Sequence, residues 1–416
     1  MPPPEESREL KPGRVLIAGV STRAAAESAA RAGFAVTALD AFGDLDQHPS
    51  VRALSLGRDL GLSATASAAA RAGRRIDCDA VVYLSNIDNH PGAVSTLAAG
   101  RALWGNAPAV LRRVRDPLIV ASELNRRGIA TPDVYAGPHK ARPTYVGRPT
   151  YVGRTLLGPP AVSTDWLVKP RASGGGHRVR RWNPASRVPH DCYLQEIIEG
   201  TPGSIVFVAA GGRAVPLGVS RQLIGERAFG ATAYRYCGSI LAPAGDAQFA
   251  RDHELADNAC ALARAVSEEF HLVGVNGIDF IARDGVALAI EVNPRWCASM
   301  ELVERACGVS VFGAHAAACA LGVLPDFDVV RARRSAGACG KAIIFARRDV
   351  AVGDTRGWLA DSTVRDVPHP GERIREGRPV CTVFANGRDA AECHAALVQR
   401  AERVYEELDL WKRQVA

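Results

Sequence analysis

The chain has little lysine. Of its 51 basic residues only Lys11, Lys140, Lys169, Lys341 and Lys412 are lysine, and the other 46 are arginine. A lysine inside a motif therefore carries more weight here than in most chains. A large excess of one charge is also lacking, since 44 acidic residues leave a net +7 over 416 residues. The arginines are dispersed and not interleaved with aromatics, which argues against a nucleic-acid surface. The ten cysteines contain no C-x-x-C pair, which argues against a zinc or dithiol site and fits reduced thiols in a cytoplasmic protein. The start, MPPPEESREL, has no apolar stretch behind a basic one, so no secretory signal is expected. Ala306 to Leu324 is nineteen residues without Asp, Glu, Lys or Arg, but His315, three glycines and many alanines make it too weakly hydrophobic for a membrane span. A buried Ala-rich helix is expected there, and no membrane contact.

What is present is an ordinary globular composition, 47% hydrophobic and 23% charged, at a length that suits two or three domains. Arg14–Val20 and Phe34–Leu39 are short apolar runs on either side of an Ala-rich helical stretch, Arg23–Ala32, that stops at Gly33. A third apolar run, Ala80–Leu84, follows another helical stretch ending near Gly73. This βαβ alternation predicts a parallel sheet with helices on its faces. The first turn reads G-V-S-T-R, without G-x-G-x-x-G, so Asp40 at the end of the second run is expected as a sheet-end or turn residue and not a dinucleotide ribose ligand. Residues 136–160 are rich in Pro, Gly and Arg and hold a tandem RPTYVG (Arg142–Gly147, Arg148–Gly153), expected as a local duplication in an exposed loop. Strand signals dominate to Asn293 and helices follow to about Leu324. The tail from Ser335 returns to short strands around PHPGERIREGRP and closes with a helix, Ala390–Leu408.

Three segments carry chemistry. In WLVKPRASGGG (Trp166–Gly176) an apolar strand delivers Lys169 and opens into Ser173, Gly174, Gly175 and Gly176. Successive glycine amides form a nest for an anion such as phosphate, and a flexible hairpin turn is the plainer alternative. It is not a Walker A loop, because the lysine precedes the glycines and no G-K-[ST] follows. In CYLQEIIEGTPG (Cys192–Gly203), Gln195 and Glu196 sit at a strand end, either solvated or presented to a base and sugar. In GVNGIDFIARDGVALAIEVNPR (Gly274–Arg295) two apolar strands flank a D-G hairpin turn. Pairing back from the turn brings Asp279 to within about a residue of Glu291, and Glu291 and Asn293, two apart, share a face. Two carboxylates and an amide are hard oxygen ligands suited to Mg²⁺, and acids inside apolar strands are costly without such a partner. Arg295 is placed either to reach an anionic group or to pair with Glu291.

In this order the segments resemble the ATP-grasp superfamily of carboxylate-amine ligases, where a K-P...S-G-G-G loop, a Q/E-E-x-[IL] hinge and a D...E-x-N-P-R strand pair recur. The resemblance covers roughly Arg112 to Leu324. Arg14 to Leu84 looks like the βαβ domain that precedes such folds, and P-G-E-R-I-R-E-G-R-P-V-C-T-V is similar to the small C-terminal module of biotin-carboxylase-like members. It implies an α/β and α+β multidomain protein: a βαβ domain (1–110), an ATP-grasp domain of two α+β lobes (111–330) and a small β-rich module with a terminal helix (335–416).

The resemblance also implies ATP and Mg²⁺, for which Mn²⁺ can substitute. Lys169 and Ser173 to Gly176 would hold phosphates, and Gln195, Glu196 and the backbone near Ile198 would meet adenine. Asp279, Glu291 and Asn293 would bind the metal, and Arg295 would stabilise the transferring phosphoryl group. The activity implied is ADP-forming C–N ligation between a small-molecule carboxylate and an amine, through an acylphosphate. A homodimer is compatible with it. The alternatives are a kinase on the same fold and an ATP-binding regulatory or scaffold protein. Ala41–Asp46 resembles proteins that serve one-carbon carrier coenzymes of the tetrahydromethanopterin or methanofuran type.

Two departures stand out. The family reads Asp-Lys where this chain has Asp116-Pro117, leaving Arg112, Arg113 or Arg115 to substitute, although an arginine fork is not a lysine point charge. The ribose acid is also not evident, Glu199 being the nearest candidate. His177 follows the glycines as a further candidate, and Arg221, Tyr234, Arg235 and Ser299 are expected near an acceptor pocket.

Overall fold

A computed structural model describes residues 10–136, 166–183, 185–335 and 337–415. The tandem hexapeptide of 142–153 lies outside the described residues. Strands β1 (Arg14–Ala18), β2 (Ala35–Asp40), β3 (Arg52–Ser55), β4 (Ala80–Tyr83) and β5 (Ala102–Leu103) form a parallel sheet in the order 3-2-1-4-5. Val15 and Ile17 face a core with Ala25, Ala26 and Ala29 of the helix Arg23–Arg31, whereas Leu16 and Ala18 face Ala69, Ala70 and Leu97 on the other side. Both faces are covered, which is why these strands are continuously apolar. Asp40 is buried and accepts hydrogen bonds from the Thr22 hydroxyl (2.8 Å) and the amides of Phe42 (3.1 Å) and Gly43 (2.6 Å). It ties together the turns after β1 and β2, the structural part expected for it.

Two helices, Pro108–Val114 and Pro117–Arg126, follow, each with proline in its first turn. The Asp116 carboxylate caps the second by accepting from the Leu118 amide at 2.9 Å. Next comes a four-stranded antiparallel sheet of β6 (Val134–Ala136), β7 (Trp166–Pro170), β8 (Arg180–Arg181) and β9 (Cys192–Glu196), in the order 6-9-7-8.

The largest sheet is antiparallel and has eight strands. It contains β10 (Thr201–Ala210), β11 (Arg213–Ile224), β12 (Tyr236–Leu241), β13 (Gly274–Arg283), β14 (Val286–Asn293) and β15 (Ala338–Phe345). After the short β16 (Val350–Ala351) come β17 (Val364–Arg365), β18 (Arg373–Ile374) and β19 (Pro379–Gly387), and the sheet order is 14-13-10-11-12-15-19-17. Alternate residues of β10 again serve two cores: Ile205, Phe207 and Ala209 meet the helix Asp252–Phe270, while Val206 and Val208 share a cluster with Phe34, Trp104 and Phe312. The N-terminal layer is docked through that second cluster, in which Phe34 packs edge-on against both Trp104 and Phe312 at 5.5 Å.

β15 pairs with β12, so β15, β19 and β17 extend this sheet, while β16 and β18 pair with each other in a separate two-stranded ribbon. The last helix runs Ala390–Val415, beyond the expected Leu408, and seats Cys393, Leu397, Ala401, Val404, Leu408 and Trp411 at three- and four-residue spacing against it. Ala306–Leu324 is not one helix: Gly308, at φ 66°, ends Met300–Cys307 before Val311–Leu321 begins. Among the described residues no helix is long and apolar enough to cross a membrane.

A buried ionic knot joins all three regions. Arg23, 1% exposed, donates to Asp366 (2.7 Å), Glu301 (2.8 Å) and Glu27 (3.1 Å), and Lys341 donates to the other oxygen of Glu301 at 2.9 Å. Glu301 is thereby held far below the usual carboxylate range: burial pushes upward, but Arg23 and Lys341 outweigh it.

Candidate functional site

The hairpin turn Asp284-Gly285 has both residues at positive φ (52° and 79°), the conformation a two-residue connection with right-handed twist requires. It sets Arg283 opposite Val286 and Phe280 opposite Ala289. A register shift then intervenes, and Asp279 pairs with Glu291, leaving Ile290 as the extra residue of a bulge. The Ile290 carbonyl accepts from Gln195 Nε2 at 3.3 Å. Asn293, opposite Gly277, falls on the same face as Glu291. Its amide donates to Asp279 Oδ2 (3.0 Å), and Gln222 donates to Asp279 Oδ1 (2.9 Å).

Burial, then the neighbouring Glu291, pushes Asp279 up to about 6, against the opposing pull of Ser204, Arg295 and Asn293. Glu291 goes the other way. Burial would raise it, but Arg115 and Lys169 draw it below its ordinary value. Two facing acids, one of them proton-hungry, suit a divalent cation. Among the described residues no three His, Cys, Asp or Glu gather as a metal cluster. The set here is two carboxylates and an amide, which fits an ion that completes its shell with water and phosphate oxygens.

These groups line a cavity of about 400 Å³. Also in its lining are Lys169, Ser173, Gly174, Gly175, Gly176, Gln195, Glu196, Ile198 and Arg295, so all but one of the expected site residues are brought together. The exception is Glu199, which is exposed and outside the lining. Lys169 Nζ donates to Gln195 Oε1 at 2.9 Å, linking the first two motifs. The Glu196 carboxylate accepts from the Asp133 amide at 3.1 Å. Val120, Val134, Leu167, Ile281 and Ala289 give the cavity apolar walls.

The glycine loop is seated on β12, where the Tyr236 amide donates to the Gly175 carbonyl at 3.1 Å. A Cβ on Gly176 (φ 75°) would lie 1.8 Å from the Tyr234 carbonyl oxygen, whereas one on Gly174 or Gly175 would meet nothing within 4 Å. The loop therefore packs on one side and leaves an open backbone cradle on the other, a shape that fits phosphate.

Arg295 pairs with Asp88 (3.2 Å), and the expected alternative, a pair with Glu291, does not form. Its Nη1 donates to the Trp296 carbonyl (2.9 Å) and its Nη2 to Asn293 Oδ1 (3.0 Å). Of the three arginines considered near Asp116, Arg115 enters the cavity, whereas Arg113 stacks over Phe270 on the outside and Arg112 is exposed. Tyr234 and Ser299 line the cavity; Arg221, Arg235 and His177 do not. Arg235 lies over the Phe345 ring, 5.0 Å from its centroid, and donates to the Gly377 carbonyl.

Sequence reading missed Asp88, Asn89 and Gln222. The first two sit in the loop after β4, at the carboxyl edge where the sheet order reverses between β1 and β4, and that rule could have found them.

A family model of the ATP-grasp domain matches residues 118–299, and that stretch of the chain is similar to such a domain. The fold is similar to that of several solved structures. With the L-amino acid ligase of Bacillus licheniformis the chain shares 16% identity at a TM-score of 0.65, over 95% of this chain and 98% of that one. With the N5-carboxyaminoimidazole ribonucleotide synthetase of Thermotoga maritima the values are 14%, 0.60, 94% and 98%. Pyruvate carboxylase of Rhizobium etli gives 14% and 0.64 over 92% of this chain, which spans 35% of that protein's length. A sequence comparison with curated proteins finds no match.

Proposed function

We propose that the chain is an ADP-forming ligase that activates a small-molecule carboxylate with ATP and joins it to an amine. The observation that carries this reading is the convergence of Asp279, Glu291 and Asn293 in the wall of the cavity that Lys169 and the glycine loop border. The names of two structural neighbours matched over nearly their full length, a ligase and a synthetase, support it. Lys169 and residues 173–176 hold the phosphates, and Gln195, Glu196 and Ile198 meet the base. Asp279, Glu291 and Asn293 hold Mg²⁺, which when bound neutralises phosphate charge during transfer. Arg295 is held in place by Asp88, the Trp296 carbonyl and Asn293, so its guanidinium stabilises charge at the reacting phosphoryl group without reorganising. The substrate carboxylate attacks the γ-phosphorus as the bond to ADP breaks. The amine then attacks the acyl carbon, phosphate leaves, and the amine proton is released. No protein nucleophile is required.

This reading places the protein in the cytoplasm, with all ten cysteines unpaired. It takes the acid and amine from the synthesis of a one-carbon carrier coenzyme, on the resemblance of Ala41–Asp46. Thermal-shift screening with ATP-Mg²⁺ against amino acids and pterin or furan acids, followed by ADP release, tests both parts. ADP release that requires an acid and an amine together supports ligation. Nucleotide binding with no ADP release from any pair rejects it, and turnover with unrelated acids alone rejects the coenzyme assignment.

A further inference from the structure

Arg115 touches both Glu291 of the proposed metal set and the base of the glycine loop proposed to hold phosphates. Its Nη1 donates to Glu291 Oε1 at 2.7 Å and to the Val292 carbonyl at 2.8 Å. Its Nη2 donates to Asn89 Oδ1 at 2.6 Å and reaches the Ser173 carbonyl, at the base of the glycine loop, at 3.3 Å. Nε also donates to Asn89 (3.0 Å), and Asp88 lies 3.7 Å behind it. The side chain is only 9% exposed, yet it forms part of the cavity wall.

We propose that Arg115 competes with the metal ion for Glu291 and exchanges onto the nucleotide phosphates when the metal–nucleotide complex binds. The inference rests on the ATP reading above. An arginine and a divalent cation on one carboxylate repel each other at short range, so metal alone binds against the cost of displacing the guanidinium. A nucleotide changes that balance, because its phosphates offer the fork a bidentate partner. Asn89 and Asp88 stay on the Nε side and act as the pivot, leaving Nη1 free to leave Glu291. The consequence is a pair of opposed effects: Arg115 weakens binding of metal alone and strengthens binding of metal with nucleotide.

The test is calorimetric and paramagnetic titration of the full chain with Mn²⁺ alone and with Mn²⁺ plus a non-hydrolysable ATP analogue. In Arg115→Gln, Mn²⁺ alone is expected to bind about tenfold more tightly and the Mn²⁺–nucleotide complex about tenfold more weakly. Unchanged or weaker binding of Mn²⁺ alone, or undiminished nucleotide affinity, overturns the proposal. Should Arg115→Gln fail to fold, Arg115→Lys, which keeps the charge but not the fork, gives the same opposed shifts at smaller size, and their absence there overturns it equally. A wild-type chain that binds no Mn²⁺–nucleotide rejects the ATP reading itself, a result distinct from a wild type that binds it and a variant that does not differ.

Discussion

Asp279 and Glu291 face each other across β13 and β14 because Ile290 is bulged out between them and the hairpin turn. Straight pairing from Arg283 and Val286 would set Asp279 opposite Ile290 and turn Glu291 to the other face of the sheet, since side chains alternate along a strand. One extra residue thus decides whether the two acids meet. It also presents the Ile290 carbonyl to Gln195, so the same bulge shapes the metal end and the strand of the second motif.

Replacing Glu291 by Gln keeps the shape of the side chain and removes the charge. ADP release is expected to fall by at least about 100-fold, the scale at which one electrostatic group at a transferring phosphoryl matters. Turnover retained within a few fold would take Glu291 out of the metal set.

Gly174 and Gly176 predict different outcomes for the same substitution. Gly176→Ala drives a methyl into the Tyr234 carbonyl from a positive-φ position and should destabilise the loop by roughly 1–3 kcal/mol. Gly174→Ala meets only open space, so its melting temperature should match wild type while nucleotide affinity falls, because the added methyl lies in the cradle. Equal melting temperatures for the two variants would contradict the packing described.

Arg23→Met leaves Glu301 and Asp366 buried or half-buried without their main partner. Urea unfolding should show a loss of about 3–5 kcal/mol, the usual result of removing one member of a buried ion pair. A loss under about 1 kcal/mol would mean that Lys341 alone satisfies Glu301.

His315 predicts a pH dependence of stability. Its Nδ1 accepts from the Val275 amide at 3.0 Å, and burial holds the ring down at about 4, against an ordinary 6.5. As pH falls below 6.5 the unfolded chain takes up the proton first and the folded chain resists. Stability is therefore complete above pH 6.5 and is lost progressively towards pH 4, by roughly 3 kcal/mol for this group. In His315→Gln that part of the acid sensitivity should disappear; an unchanged slope between pH 6.5 and 4 would refute the assignment.

The parallel layer and the hairpin were legible because their signals are local: apolar runs, Gly33, and the D-G turn. The spacing of Glu291 and Asn293 likewise showed a shared face. The bulge was not legible, since Ile290 differs in no chemical way from its neighbours and only the three-dimensional register reveals it. β3 escaped notice because RALS is short and half-exposed, with no apolar run. Choosing among Arg112, Arg113 and Arg115 required knowing that the helix ends at Val114, which turns Arg115 inward. Asp88 and Asn89 contribute through contacts to residues that follow them by 26 or more positions, a distance at which sequence pattern is silent.

The pairing of β12 with β15 bears on how the molecule comes apart. β12 carries the glycine loop through Tyr236 and is held on its outer edge by a strand from the C-terminal stretch. Removing the chain beyond residue 335 would take β15, β19 and the last helix away together, bare that edge and loosen the support of the phosphate cradle. The cavity and the C-terminal stretch are thus expected to unfold as one cooperative unit, and a fragment ending at residue 299 would hold a sheet missing three of its eight strands.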